Sequence, residues 1–306
     1  MLSVSTSWNA LRIPSGGDIV REVKKLGLNS IELNYQANAD QFDEINRLKK
    51  QGEITISSLH NICPLPEGAD PVTAHRLSSF TSPDKSVREE AVKLTLKTID
   101  NAAELEAGAV VLHLGEMWNN PLVEMERAYV TARIKGRQPQ EKIDEMKSRL
   151  MEIRKEYSIP GLARINDSLA ILIKHAESQN IKLGIENRYW YTQFPNPDEL
   201  ELLFNDFNSP MVGLWFDVGH SATLEYMNYI GKDEILQRFS GRLIGTHLMD
   251  CIRNSDHLAP GKGKVDFSYL ASVVKPQTMK IIEPAVHITF QDMQEGVAFL
   301  QKSGLG

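Results

Sequence analysis

The sequence predicts an α/β protein folded as a (β/α)8 barrel, and three observations support this prediction. Short apolar runs recur eight times along the chain. Segments with apolar residues at helical spacing lie between several of these runs. The 306 residues are sufficient for eight strand and helix units, which typically need about 250 residues. All eight strands would then be parallel, with their carboxyl ends at one face of the barrel.

Eight strands are expected, and in chain order they are LSVST (2–6), SIELN (30–34), ITISSLH (54–60), AVVLHLG (109–115), IKLGIEN (181–187), VGLWFDV (212–218), LIGTHLM (243–249) and MKIIEP (279–284). Helices are expected where apolar residues recur every three or four positions, at 17–28, 87–107, 165–179 and 290–304. An open doubly wound sheet would need only six strands. No G-x-G-x-x-G follows the first strand, so the barrel is preferred.

Residues 116–164 interrupt the alternation after the fourth strand, and loops of that length are usually functional or structured. Within them, PQEKIDEMKSRLMEIRKEY (139–157) predicts a charged amphipathic helix. Its apolar stripe consists of Ile143, Met146, Leu150, Ile153 and Tyr157. The stripe would suit the barrel mouth, the side of its own barrel or a second subunit of a homo-oligomer. We expect one barrel domain over residues 1–306 with a helical insertion at 116–164.

The composition argues against several classes of function. A net charge of -6 gives no cationic field for polyanions, so nucleic acid is disfavoured as a partner. No apolar stretch reaches the roughly 18 residues that cross a bilayer, so no membrane role is expected. Two distant cysteines, Cys63 and Cys251, and no cationic leader fit the cytoplasm. No dinucleotide or P-loop motif is present, and we expect no organic cofactor.

Six of the eight predicted strands end in a residue type that binds metals. These residues are His60, His113, Glu186, Asp217, His247 and Glu283. Side-chain alternation turns the last four into the barrel mouth, where the parallel strands end. Three carboxylates crowded with a histidine would repel one another and shift their pKa values unless a divalent cation neutralised them. The pattern predicts a metal site for Mn²⁺, Mg²⁺, Zn²⁺ or Co²⁺.

Each of these residues taken alone has a plainer interpretation. A single buried histidine is commonly a hydrogen-bonded core residue, and a carboxylate at a strand end commonly caps the next helix. The loops that follow the strands add His220, Arg253 and His257, each near enough in sequence to reach the same mouth. Gly261 and Gly263 would suit a flexible lid over a small substrate.

The segments GIEN, FDVGH, GTHLMD, PGKGKVDF and IIEP, each after a predicted strand, resemble the sugar isomerase and epimerase group of xylose isomerase-like TIM barrels. The resemblance covers residues 2–115 and 165–300. It implies one divalent metal, held by Glu186, Asp217, His247 and Glu283. It also implies that Glu186 and Glu283 are the catalytic acid and base. The residues expected to bind substrate are His60, His113, His220, Arg253 and His257.

The chemistry implied by this resemblance is proton abstraction next to a carbonyl through a metal-stabilised enediolate. One glutamate would remove the proton, and the second would return it on the opposite face or deliver it to the adjacent carbon. The first outcome is epimerisation and the second is isomerisation. The expected substrate is a small sugar, sugar phosphate or polyol.

Three alternatives remain open at this point. The same superfamily contains zinc-cluster apurinic-site endonucleases, and His60, His113, His220 and His257 match the places of their extra ligands. However, the acid expected two residues before His257 is Ser255 here. The acidic balance also disfavours cleavage of a nucleic-acid phosphodiester. A keto-polyol dehydratase would begin with the same proton abstraction, and a non-catalytic metal-binding relative is the third alternative.

Overall fold

The computed structural model describes residues 1–306, and its ten strands are β1 (Leu2–Ser5), β2 (Ser30–Leu33), β3 (Thr55–His60), β4 (Ala109–Leu112), β5 (Lys182–Glu186), β6 (Val212–Asp217), β7 (Leu243–Leu248), β8 (Asp250–Ile252), β9 (Ser255–Leu258) and β10 (Met279–Ile282). All except β8 and β9 form a closed parallel barrel in which β10 pairs with both β7 and β1. The predicted (β/α)8 barrel is confirmed, and each of the eight predicted strands is present.

Helices surround the barrel, and they are α1 (Gly16–Lys25), α2 (Ala39–Lys50), α3 (Lys85–Glu104), α4 (Asn120–Lys135), α5 (Gln140–Gln179), α6 (Pro197–Asp206), α7 (Val218–Tyr226), α8 (Glu234–Phe239), α9 (Phe267–Val273) and α10 (Phe290–Lys302). Many of them begin at a side-chain cap; Asn38 and Asn196, for example, form capping boxes at α2 and α6. None of the helices has the length and apolar character that a bilayer crossing requires.

The floor beneath the barrel mouth is built around Trp215, which is fully buried. A Cβ atom would lie 2.7 Å from its ring at Gly184 and 2.3 Å from it at Gly245. These glycines of β5 and β7 therefore make room for the indole of β6. Val111 and Ile281 pack in the same cluster and complete the floor.

The insertion at 116–164 is helical but is divided differently from the prediction. Its first part is α4, which the sequence pattern does not predict. The predicted helices at 139–157 and 165–179 are one continuous helix, α5, with Pro160 inside it. The predicted separation into two helices is therefore wrong. Residues 158–164 continue the helix, although Pro160 has no backbone N–H to donate within it.

The apolar stripe of the insertion packs on the protein's own helical layer. Ile143 and Leu150 are buried in the core, and Met146 and Ile153 pack against it. Tyr157 is about half exposed, at 50%. Of the three placements that the sequence left open, the side of the same barrel is the one observed, with α5 lying against α3 and α4.

The segment after β7 is also more ordered than a lid. The strands β8 and β9 form a short antiparallel hairpin. The Asp250 carboxylate accepts hydrogen bonds from the backbone N–H groups of Gly261 and Val265, both at 3.0 Å. A Cβ atom at Gly263 would lie 2.3 Å from the same carboxylate. Gly263 therefore permits a close approach to Asp250, and this carboxylate anchors a segment that was expected to be a flexible lid.

Candidate active site

The structure brings Glu186, Asp217, His247 and Glu283 together at the barrel mouth. One oxygen of each carboxylate and a ring nitrogen of the histidine all lie within 4.8 Å of one another. The Nδ1 atom of His247 is 2.9 Å from Glu186 Oε1 and 2.9 Å from Glu283 Oε2. It is 3.6 Å from Asp217 Oδ2. All four side chains are buried, as the strand-end pattern predicted.

Asp217 has one oxygen satisfied and one without a partner. Its Oδ1 accepts a 2.7 Å hydrogen bond from the His220 backbone N–H and so caps α7. The side-chain amide of Asn187 pairs with the Asp217 backbone and fixes its position. Oδ2 is buried with no hydrogen-bond partner. A buried carboxylate oxygen without a donor is costly, so this donor set fits a divalent cation.

His247 is oriented by a second carboxylate behind the cluster. Its Nε2 lies 3.1 Å from Glu32 Oε1, and Ser58 Oγ donates to Glu32 Oε2 at 2.8 Å. With a cation bound, a hydrogen bond from Nε2–H to Glu32 would leave the Nδ1 lone pair of the neutral imidazole for the metal, as in many metal sites. Burial alone would lower the pKa of His247, but the charges of Glu283 and Glu32 raise it well above its usual value. The same negative field favours a bound cation.

The two predicted catalytic glutamates face a cavity of about 320 Å³. Arg188 Nη1 donates to Glu186 Oε2 at 2.7 Å, and Asn34 Nδ2 donates to Glu283 Oε1 at 3.3 Å. Burial favours a higher pKa for Glu186, but the charge of Arg188 beside it holds that pKa well below its usual range. Burial also opposes ionisation of Glu283, yet His247 lowers its pKa to about 2. Both groups are therefore carboxylates at neutral pH.

Arg188 is a site residue that the sequence analysis missed. It is buried, and its Nη1 lies 2.5 Å from His113 Nε2. His60, His113 and Glu186 form a further group with metal-ligand spacing. The Arg188 guanidinium already contacts two members of that group. Burial and then the charge of Arg188 lower the pKa of His113, which keeps that imidazole neutral. The sequence signal that could have identified Arg188 is its position two residues after Glu186, in the segment IENRYW.

A second polar group lies beside the cluster and consists of His220, Asp256 and His257. His220 Nε2 is 3.8 Å from Asp256 Oδ2, and His257 Nδ1 is 3.0 Å from Asp256 Oδ1. Burial would lower the pKa of His257, but the bond to Asp256 raises it to about 9. Asp256 stands one residue after Ser255, the position at which the endonucleases would carry an acid. It nevertheless lies at the mouth, because the β8–β9 hairpin turns Asp256 toward His220.

The other predicted substrate-binding residues differ in their placement. His60, His113, His220 and His257 line the cavity with the two glutamates. Arg253 does not line it and is exposed at the turn of the β8–β9 hairpin, with a φ of 62°. Its contact with substrate stays a prediction. The cavity is also lined by side chains that the sequence analysis did not assign to substrate, namely Tyr35, His75, Arg188, Tyr189 and Gln193.

Comparisons with known proteins agree with this architecture. Residues 20–303 match the family model described as xylose isomerase-like TIM barrel. An uncharacterised protein of Sinorhizobium fredii is 24% identical over 271 residues, which is 84% of this chain and 75% of that protein.

Solved structures with the same fold include a D-tagatose 3-epimerase-like protein, with a TM-score of 0.67, 19% identity, and coverage of 99% of this chain and 96% of that one. The 3-keto-D-glucoside 4-epimerase YcjR from E. coli has a TM-score of 0.69 at 13% identity, with 98% of each chain covered. Since the family model spans nearly the whole barrel, this chain belongs to the xylose isomerase-like TIM-barrel family.

Proposed function

We propose that this protein is a divalent-metal-dependent epimerase or isomerase of a keto sugar or related polyol. The observation that carries the proposal is the position of Glu186 and Glu283. They lie on strands separated by β6 and β7 in the barrel, yet both contribute to the four-residue cluster and both line one cavity. The structural neighbours whose names specify sugar epimerases support this class of substrate.

Glu186, Asp217, His247 Nδ1 and Glu283 would hold the cation. When bound, a divalent cation polarises a carbonyl and stabilises the charge that develops on its oxygen. The two glutamates reach the cavity from different strands. One, as a carboxylate, would accept the proton from carbon, and the other would return a proton to carbon after first taking one from solvent water, so that one proton leaves the substrate and one is added. Arg188 holds Glu186 in one orientation. His220 and His257 provide polar contacts for the hydroxyl groups of the substrate.

The zinc-cluster phosphodiesterase remains the second candidate because His220, Asp256 and His257 form another group with ligand spacing. Arg188 argues against a full cluster. Its fixed positive charge lies 2.7 Å from Glu186 Oε2 and 2.5 Å from His113 Nε2. A further cation between His60, His113 and Glu186 would meet that charge at close range, in a buried site where repulsion is weakly screened.

The test is solvent-deuterium incorporation in D2O, followed by proton NMR. Free ketoses such as D-fructose and L-ribulose and keto-glycosides are incubated with protein that has been stripped with EDTA and reloaded with Mn²⁺, Mg²⁺, Zn²⁺ or Co²⁺. We expect exchange at the carbon next to the carbonyl, abolished by EDTA and restored by metal. Absence of exchange with every substrate and every metal would contradict the proposal.

Substitution of the glutamates gives a sharper version of the test. Glu186→Gln and Glu283→Gln should each lower proton exchange by at least about 100-fold, since each removes one partner in proton transfer. The control is Glu225→Gln, a half-buried carboxylate on α7 outside the cluster. One bound metal per chain supports the proposal. Three zinc ions together with cleavage of an abasic oligonucleotide would favour the endonuclease.

A further inference from the structure

A second cavity, of about 500 Å³, adjoins the candidate active site. The two cavities share His75, Trp190 and Gln193 in their walls. The rest of the second cavity is formed mainly by residues 116–127, which are the beginning of the insertion and the first part of α4. A molecule bound at the glutamates can therefore extend directly into this space.

An exposed indole lies in the wall of the second cavity. Trp118 is 58% exposed, although large apolar side chains are usually covered. It is nevertheless held in place, because its Nε1–H donates to Thr81 Oγ1 at 3.3 Å and the adjacent Met117 N–H donates to the Thr192 carbonyl at 2.9 Å. Trp190 is half-buried and lines the same cavity. Two ordered aromatic faces suit a ring whose carbon face is apolar and whose edge is polar.

The charged groups of the second cavity are already paired. Arg127 is 2.6 Å from Glu124, and Arg76 is 3.9 Å from Glu116. Glu126 is buried and accepts hydrogen bonds from the backbone and side chain of Thr192. Each arginine of the wall thus lies beside a carboxylate, and the wall offers no excess positive charge to a phosphate or carboxylate. The Asn120 and Gln193 amides provide neutral hydrogen-bonding groups, which suit the hydroxyls of an uncharged ligand.

The wall between the two cavities is ordered by the insertion. Arg154 of α5 is fully buried and pairs with Glu199 through two contacts, at 2.5 Å and 2.8 Å. Its Nη2 donates to the Gln193 carbonyl at 3.0 Å, and its guanidinium also bonds the Tyr191 carbonyl. The loop that carries Trp190 and Gln193 is therefore held before any ligand binds, which lowers the entropic cost of binding.

We propose that the second cavity is a subsite for an additional, uncharged sugar ring, so that the preferred substrates are keto sugars bearing a glycosyl substituent. This proposal rests on the proposed function and adds the size and charge of the substrate. Trp118 provides the stacking face of the subsite. The wall carries three glutamates and two arginines, and this negative balance disfavours a phosphorylated substituent.

The experiment compares matched substrates in the metal-loaded protein by solvent-deuterium exchange. D-fructose is paired with lactulose, and 3-keto-D-glucose is paired with 3-ketosucrose. We expect kcat/KM to be higher for the glycosylated member of at least one pair. Trp118→Ala should lower that value about tenfold, mainly through KM, because one stacking contact is lost. In Trp118→Ala, kcat/KM for the unsubstituted member should not change. The control is Leu202→Ala, since Leu202 is an exposed residue of α6, and it should leave kcat/KM unchanged for both members of each pair.

The outcomes separate this proposal from the proposed function. Deuterium exchange into the unsubstituted sugars, with no higher kcat/KM for the glycosylated ones, would overturn the subsite and leave the proposed function standing. If no substrate exchanges, saturation-transfer NMR decides. Tighter binding of lactulose than of D-fructose that is lost in Trp118→Ala supports the subsite, and equal binding overturns it. A change of sedimentation coefficient in Trp118→Ala would assign the indole to a subunit contact and overturn the subsite.

Discussion

At the scale of single residues, Asp217 carries two functions on its two oxygens. One oxygen caps α7, and the other points without a partner into the cluster. The cap would be retained by any residue that keeps an oxygen acceptor at this position, whereas the second oxygen would bind the proposed cation. The two functions can therefore be separated by experiment.

Asp217→Asn should lower divalent-metal affinity by more than the roughly 10–100-fold typical of residues that only support a ligand. The substitution keeps the helix cap but removes the charge. Isothermal titration with Mn²⁺ measures the effect. Asp266→Asn is the matched control, because Asp266 also caps a helix, α9, but lies outside the cluster. Equal metal affinity in both variants would contradict a ligand role for Asp217.

Much of the candidate site is readable from the sequence because each ligand ends or directly follows an apolar run. Strand ends meet in a parallel barrel, so Glu186, Asp217 and His247 could be brought together without coordinates. Arg188 could not, since nothing in the order of residues indicates that its guanidinium lies against His113. Asp256 depends on the register of a three- and four-residue hairpin, which the pattern of the chain does not define.

At the scale of elements, the barrel floor depends on the contact of Trp215 with two glycines. Gly245→Ala should destabilise the protein by about 1–3 kcal/mol, because the added methyl group overlaps the indole ring and the packed core cannot easily yield. The free energy of unfolding in urea measures this change. Gly241→Ala is the control, since a Cβ atom there meets nothing within 4 Å, and it should change stability by less than about 0.5 kcal/mol.

The helix α5 has a comparable dependence on one buried charge. Arg154→Met should cost about 3–5 kcal/mol, because it leaves Glu199 buried without its partner and frees two backbone carbonyls. The variant is compared by urea unfolding with Arg149→Met, an exposed arginine of the same helix. We also expect faster amide exchange in residues 190–193, measured by mass spectrometry. Similar stability of the two variants would contradict a structural role for the Arg154 pair.

The insertion shows why helices are harder to assign from the sequence than strands. Apolar runs bounded by polar residues identify a buried strand well. α4 has weak amphipathicity, and Pro160 interrupts the pattern of α5. The continuity of α5 is supported by its packing against α3 and α4. This is a tertiary effect, which local helix propensity does not predict.

At the scale of the whole molecule, the four proposed metal ligands come from four strands and meet only when the barrel is closed. The unfolded chain cannot present them together, so a bound metal should stabilise the native state. At a free metal concentration of 100 times Kd we expect about 2.7 kcal/mol of added stability. Thermal unfolding across a Mn²⁺ series measures it. In Asp217→Asn the dependence should weaken, and an unchanged Tm in the wild-type protein would contradict the metal site.

The continuous helix α5 and its partner α4 have a consequence for how this protein could diversify. The proposed proton-transfer groups belong to strand ends of the barrel, whereas the wall of the proposed subsite belongs largely to residues 116–127. On these proposals, the reaction and the selectivity for substrate are encoded in separate stretches of one chain. Exchange of the insertion between relatives would change which substituents a substrate can carry while leaving the reaction itself intact.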